Sequence, residues 1–371
     1  MASASAPPEK DDPNELVFPP IHLHCATAPD AQFSSDAEME RAKVVMTSSP
    51  RMPAVGYFGG RYGHKWYVDL VALPHNAIRR QLCDAFIMAN ALGTLQLDVA
   101  DGDLARVYAW LGTLESFVRA VFNAEARFIL PLLDANVVKA SSSDGKQLYL
   151  PELISVRGRV TAQQRIFDLL KTARKTRDVA TGESVAKINA LRYALDQFGA
   201  NVLDYFAAIE KIAPKLFKRT LRNGQRQQIK LEHKMFEFVH RHEQGAMLAA
   251  LFMQCIESRT TRQAFLERNL KKRQRGDFIV DVKRVQNTHM RLAAAFEDAA
   301  AKYEKRFNVN KFLQHYDAQG DSKMTLAMLG ENDINAEGGE VVVENKNDVE
   351  DEECAPGLAL DDDVLEVYAE A

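Results

Sequence analysis

The stretch Leu114-Glu-Ser-Phe-Val-Arg-Ala-Val-Phe-Asn-Ala-Glu125-Ala-Arg-Phe-Ile-Leu-Pro-Leu-Leu133 decides the fold class of this chain. At about 100° per residue, Leu114, Phe117, Val121, Phe128 and Leu132 fall within an arc of roughly 60°. That spacing predicts a helix with one apolar face. Glu125 lies only about 20° from Leu114 and Leu132 on the same count. Burying an unpaired carboxylate costs several kcal/mol or keeps it protonated. Glu125 therefore requires a partner from another element, and the search for that partner organises the rest of the chain.

Working outward, the periodicity predicts an all-α protein. A first helix opens near Pro74, a residue suited to the first helical position, and runs to about Leu92. The second spans about Asp103 to Leu133. A shorter helix covers Thr161–Arg177, a third long helix runs from Ser184 to just before Pro214, and a fourth covers Gln225–Glu257. A short basic helix is expected over Thr261–Arg275. A last long helix runs from Phe278 to about Phe307. There Val282, Val285, His289, Leu292, Phe296, Ala299 and Tyr303 recur at alternating spacings of three and four, a packing seam. The expected architecture is an antiparallel four-helix bundle with an additional long C-terminal helix laid against it or extending away. Four regions follow: an irregular leader over 1–50, the bundle over 51–260, a C-terminal helical extension over 261–310, and an acidic disordered tail over 311–371. The Gly/aromatic run Pro53-Ala-Val-Gly-Tyr-Phe-Gly-Gly-Arg-Tyr-Gly-His-Lys-Trp66 reads as a packed loop. It lacks the preceding strand and the Gly-Lys-Ser/Thr ending of a phosphate-binding loop.

Polar residues inside the apolar arcs single out a candidate interior site. On the first helix, His75 and Arg79 fall on or near the arc of Leu82, Phe86 and Ala89. The second contributes Glu125. The third, marked by Leu191, Leu195, Phe198, Val202, Tyr205 and Ile209, admits almost no polar group except the Tyr205 hydroxyl. On the fourth, His242 continues the arc of Leu231, Met235 and Phe238, whereas His233 and His240 point to the opposite side. Glu237 and His240 match a Glu-x-x-His spacing, but His240 faces outward and no second copy exists. Two readings stay open for His75, Arg79, Glu125 and His242. They form a metal pocket, or a buried cluster in which Arg79 neutralises Glu125.

The helix opening His75-Asn-Ala-Ile-Arg-Arg-Gln-Leu82 and the helix ending Val121-Phe-Asn-Ala-Glu125-Ala-Arg-Phe-Ile-Leu-Pro131 resemble the hemerythrin-like (HHE cation-binding) family. The ending Tyr205-Phe-Ala-Ala-Ile209-Glu-Lys-Ile-Ala-Pro214 is similar. The resemblance covers about residues 65–257. It implies a helical bundle around a His-rich, carboxylate-bridged di-iron centre used for oxygen, redox or iron-sensing chemistry. His75 and Glu125 match its ligand pattern. Val121, Tyr205, Ile209 and Phe238 stand at ligand positions without the expected side chains. The metal set carried over is His75, Glu125 and His242, enough for a single divalent ion with open positions but short of a di-iron centre.

Charge is unevenly distributed. Residues 331–371 hold 15 acidic residues against Lys346 and carry −14, so the other 330 residues carry +10 within a total of −4. Cys25, Cys83, Cys255 and Cys354 match no metal or redox spacing and read as free thiols of a reducing, intracellular and cytoplasmic location. No stretch reaches 18 uninterrupted apolar residues, which excludes a membrane-spanning helix. The N-terminus lacks the apolar run of a secretory signal. No nucleophile elbow, phosphate loop or dinucleotide fingerprint is present. Three function classes remain. The chain is a non-catalytic scaffold or regulatory module, with a protein partner or homo-oligomer contact through the 278–307 helix. Or it is a metal-binding or sensing protein. Or it binds nucleic acid or another anionic surface through Lys215–Arg219, Arg222, Arg226 and Lys271–Arg275.

Overall fold

Prolines and glycines account for most departures from the helix boundaries just given. The computed structural model describes residues 23, 51–144, 150–178, 184–221 and 223–319, all helical or irregular, with no strand among them. In chain order the helices are α1 (Trp66–Leu95), α2 (Asp101–Phe128), α3 (Leu130–Asp144), α4 (Val156–Lys175) and α5 (Ser184–Thr220). They continue as α6 (Gly224–His240), α7 (Gly245–Met253), α8 (Arg259–Asn269), α9 (Lys272–Val285) and α10 (Arg291–Gln319). A π-helical turn over Gln286–Met290 joins the last two. Residues 311–319 of the expected tail over 311–371 continue α10 as helix, whereas residues 320–371 of that tail and the leader over 1–50, apart from Leu23, lie outside the described residues.

Pro74 lies inside α1, not at its start. A proline lacks the N–H that would close onto the carbonyl four residues back, here Leu70, and such a position costs about 3 kcal/mol in an isolated helix. Burial offsets that cost, since Leu70, Val71, Leu73 and Pro74 are all inside. Pro214 repeats the arrangement in α5, which continues to Thr220. Its missing N–H leaves the Glu210 carbonyl without its intrahelical partner. Pro131 is not absorbed in this way, and α2 ends at Phe128 just before it. The fourth expected helix is two, α6 and α7. The turn between them sets Gly245 against the His240 carbonyl, where any Cβ would collide. α4 begins earlier than expected because Ser155 caps it, accepting the Gly158 N–H at 3.1 Å.

One apolar cluster runs from Leu70 on α1 to Tyr303 on α10. α1 packs along α5, α6 and α10, while α2 packs on α4 and α6. The approach of α1 to α5 depends on Gly199, because a Cβ there would run into the Phe86 ring. At the centre Phe122 meets Tyr205 at 5.4 Å and Phe206 at 6.1 Å, both edge-on. Each fully buried aromatic ring contributes roughly 1.5–3 kcal/mol of burial free energy.

The expected seam is real, but this chain covers it. Val285, Leu292, Phe296, Ala299 and Tyr303 are buried, and α10 lies against α1. These buried residues of the 278–307 segment therefore pack on the chain's own core, while Ile279 and Val280 stay exposed. The π turn keeps His289 in register with that stripe. Its ring stacks on Trp110 at 4.8 Å, and its Nε2 bonds the Gln81 Oε1 at 3.1 Å. Burial depresses the His289 pKa to about 4, so this histidine is neutral.

The Gly/aromatic loop is fastened to α1 by side-chain amides. Asn76 accepts from the Phe58 N–H at 2.8 Å and donates to the Phe58 carbonyl at 2.9 Å. Asn90 accepts from the Met52 N–H at 2.8 Å.

Candidate functional site

His75, one residue past Pro74, sits at the centre of a buried polar cluster drawn from α1, α2 and α5. Its Nε2 is 2.9 Å from Oε1 of Glu125, and its Nδ1 is 2.7 Å from Oε1 of Glu210. The ring lies flat on Phe206, with centroids 3.9 Å apart. Arg79, one turn along α1, grips Glu210 with both terminal nitrogens, NH2 reaching Oε2 at 2.9 Å. The guanidinium also lies over the Phe206 ring at 5.2 Å. All four polar residues are at most 9% exposed.

The charges compensate one another. Burial works against a charged imidazole, but the carboxylates of Glu125 and Glu210 outweigh it and raise the His75 pKa above the ordinary histidine value. Burial likewise opposes ionised Glu210, yet the hydrogen bonds from His75 and Arg79 prevail and lower its pKa. Two carboxylates thus face an imidazolium and a guanidinium, and the cluster is neutral as a whole. One atom stands outside the arrangement: Oε2 of Glu125 is buried and has no hydrogen-bond partner. The Tyr205 hydroxyl accepts from Gln163 Nε2 at 2.9 Å. Burial, then the charge of Glu125, push its pKa well up, so Tyr205 keeps its proton.

The expected residues meet this geometry unevenly. His75 and Glu125 come together. Arg79 is inward, as expected, but neutralises Glu210, not Glu125. His242 does not join them. It lies exposed in the turn between α6 and α7, where its Nδ1 accepts the Gln244 N–H at 3.3 Å. Placing it inside assumed that the helix runs past His240, but α6 ends there. Of the positions marked by the family resemblance, Val121, Tyr205 and Ile209 are buried and Phe238 is half-buried against Phe128, edge-on at 6.0 Å. Outward His233 bonds Asn269 at 3.0 Å. His240 was expected to point away, yet it stacks on Phe236 at 5.9 Å.

Glu210 is the residue that the sequence reading missed. The arc chosen for the third long helix centred on Val202, Tyr205 and Ile209. Glu210 is about 40° from Phe206 and about 20° from Phe217, and both rings are fully buried. A wider arc through those phenylalanines would have found it.

A metal ion needs lone pairs that converge on one point. Here the two imidazole nitrogens sit on opposite edges of the ring, and each already faces a different carboxylate. The guanidinium of Arg79 occupies both oxygens of Glu210. Among the described residues no group of three or more His, Cys, Asp or Glu side chains is placed to hold an ion. The donor set in this arrangement does not fit a di-iron centre. His75, Glu125 and His242 do not converge on a mononuclear site either.

A second buried carboxylate, Glu232 on α6, is held differently. It accepts from the Tyr62 hydroxyl at 2.6 Å and from Gln228 Nε2 at 2.8 Å. Arg268 stands 3.6 Å away. Burial raises its pKa to about 7 despite these donors, and nearby Asp69 adds to the rise.

Cys83 and Cys255 are free thiols, half-buried and buried. No helix among the described residues is long and apolar enough to cross a membrane. No protein-family model, curated protein or solved structure matches this chain.

Proposed function

We propose that this chain is a non-catalytic, hemerythrin-like four-helix bundle that works as a scaffold or regulatory interaction module. In this reading the ancestral metal position has become a structural ion cluster. The observation that carries it is the double grip of Arg79 on Glu210 beside His75. A guanidinium placed there supplies the positive charge that a metal would supply, and it repels a cation. The apolar side chains of Val121, Ile209 and Phe238 at the family's ligand positions point the same way. α1, α2, α5 and α6 are the four bundle helices, and α10 is an added layer over α1.

Elemental analysis of the full chain, purified without a metal-affinity tag and challenged with ferrous iron, zinc and manganese in turn, tests the reading. The expected result is far less than one metal per chain and no new near-ultraviolet band. One or two tightly held ions per chain would establish the metal-binding reading instead. Arg79→Leu sharpens the outcome. If the guanidinium stands in for a metal, removing it leaves a buried carboxylate pair around His75, and uptake of a divalent ion should rise.

A further inference from the structure

We propose that the acidic segment Asp361-Asp-Asp-Val-Leu-Glu-Val-Tyr-Ala-Glu-Ala371 of this chain docks in the groove between α7, α8 and α9 and masks it. The inference goes beyond the scaffold reading and does not depend on the His75 cluster. The groove has a volume of about 650 Å³. Arg80, Arg259, Arg262 and Lys283 line it, with Glu257 as its acidic residue; Arg80 is paired with Asp84 at 3.1 Å and Arg262 donates to the Ile256 carbonyl, so both are fixed in the wall of the groove. Ile279 and Val282 form an apolar wall, and Ile279 is 42% exposed. A cationic rim over an apolar wall suits an extended or helical peptide that carries acids beside large apolar side chains.

The chain supplies such a peptide. In residues 361–371, three consecutive aspartates precede Val364, Leu365, Val367 and Tyr368, with Glu366 and Glu370 interspersed. The surrounding stretch carries −14 against a body of +10. Reach is not limiting. α10 starts beside the groove, since Gln286 and Met290 line it. Its 29 residues carry the chain about 43 Å away. The 41 residues from 320 to 360 span roughly 130 Å when extended. A tether of this kind gives an effective concentration on the order of a millimolar. A Kd of about 0.1 mM then leaves the groove covered roughly ten times as often as open.

Zero-length carbodiimide coupling of the full chain tests this, because it joins carboxylates only to lysines they touch. The expected product links residues 361–366 to Lys283 within one molecule, and the link disappears in 1 M salt. Deuterium uptake over 279–290 should be roughly tenfold slower in the natural chain than in the D361N/D362N/D363N variant. That variant alters no described residue, so loss of protection cannot be assigned to unfolding. Coupling mainly to Lys230, Lys234 or Lys271 would overturn the proposal in favour of diffuse screening of the basic face. Links between isotopically distinct copies would overturn it in favour of self-association. Equal uptake in the two proteins would overturn it as well.

Discussion

Glu210 and Glu232 are both buried glutamates on long helices, yet their pKa values are shifted in opposite directions. Glu210 is lowered and Glu232 is raised to about 7. Burial pushes both upward, so depth does not explain the difference. The partners do. Glu210 receives an imidazolium and a two-pronged guanidinium in direct contact. Glu232 receives a phenol and an amide, both neutral, while its cation, Arg268, stays 3.6 Å off and 37% exposed. A charge-assisted bond to a desolvated cation offsets the penalty of burial, and a neutral donor does so only in part.

The largest effect expected from this contrast is at Glu210. Glu210→Leu leaves Arg79 buried without its carboxylate and removes one of the two anions that hold His75 charged. Breaking a buried pair from one side typically costs about 3–5 kcal/mol. Glu232→Leu strands only a phenol, an amide and a partly solvated arginine, and should cost about 1–3 kcal/mol. Urea unfolding of both variants at neutral pH checks the order. Equal costs would mean that charge compensation is not what separates the two sites.

The pH dependence follows with opposite signs. Glu232 has an ordinary value of 4.5 and a folded value of about 7. The unfolded chain therefore ionises first as pH rises. Stability falls between those limits by on the order of 3 kcal/mol and levels off above them. Glu232→Gln should remove that decline, making the variant relatively more stable at pH 8 than at pH 5. The other cluster behaves in reverse on its acid side. Glu210 is lowered from 4.5, so its contribution is present above that value and is lost as pH falls through the folded pKa. His75 is raised from 6.5, so its contribution is complete below that value and is lost as pH rises through the folded pKa. Between about pH 4.5 and 6.5 the His75 cluster is at full strength while the Glu232 site is already weakening. Unfolding midpoints of the natural chain and Glu232→Gln across pH 4–9 resolve the two contributions.

Much of this organisation is legible in the sequence, and the failures have physical causes. The all-helical class, the inward turn of His75, Arg79 and Glu125, and the apolar stripe through Phe296 all follow from periodicity. Periodicity gives directions around one helix axis. It gives neither the distance to the next helix nor the point where a helix stops. His242 was misplaced because the turn forced at Gly245 interrupts the count. Pro74 and Pro214 read as boundaries because local propensity disfavours proline inside a helix, whereas tertiary burial carried both through. The stripe on the last helix reads the same whether it meets another chain or α1. Glu210 falls outside a single apolar arc because its 37-residue helix buries more than one face.

The smallest effect tests the edge of the His75 cluster. The Tyr205 hydroxyl accepts from Gln163 and lies near enough to Glu125 for that carboxylate to raise its pKa, which leaves the hydroxyl proton unassigned, while Glu125 Oε2 lacks a donor. Gln163 is partly exposed and can turn to water when the hydroxyl is removed. Tyr205→Phe should then cost only about 0.5–1.5 kcal/mol, well below Glu210→Leu. A cost approaching that of Glu210→Leu would place the phenol proton on Glu125. Tyr205 would then be a full member of the cluster, and the neutral-donor side of the comparison would extend into the site that charge is argued to dominate.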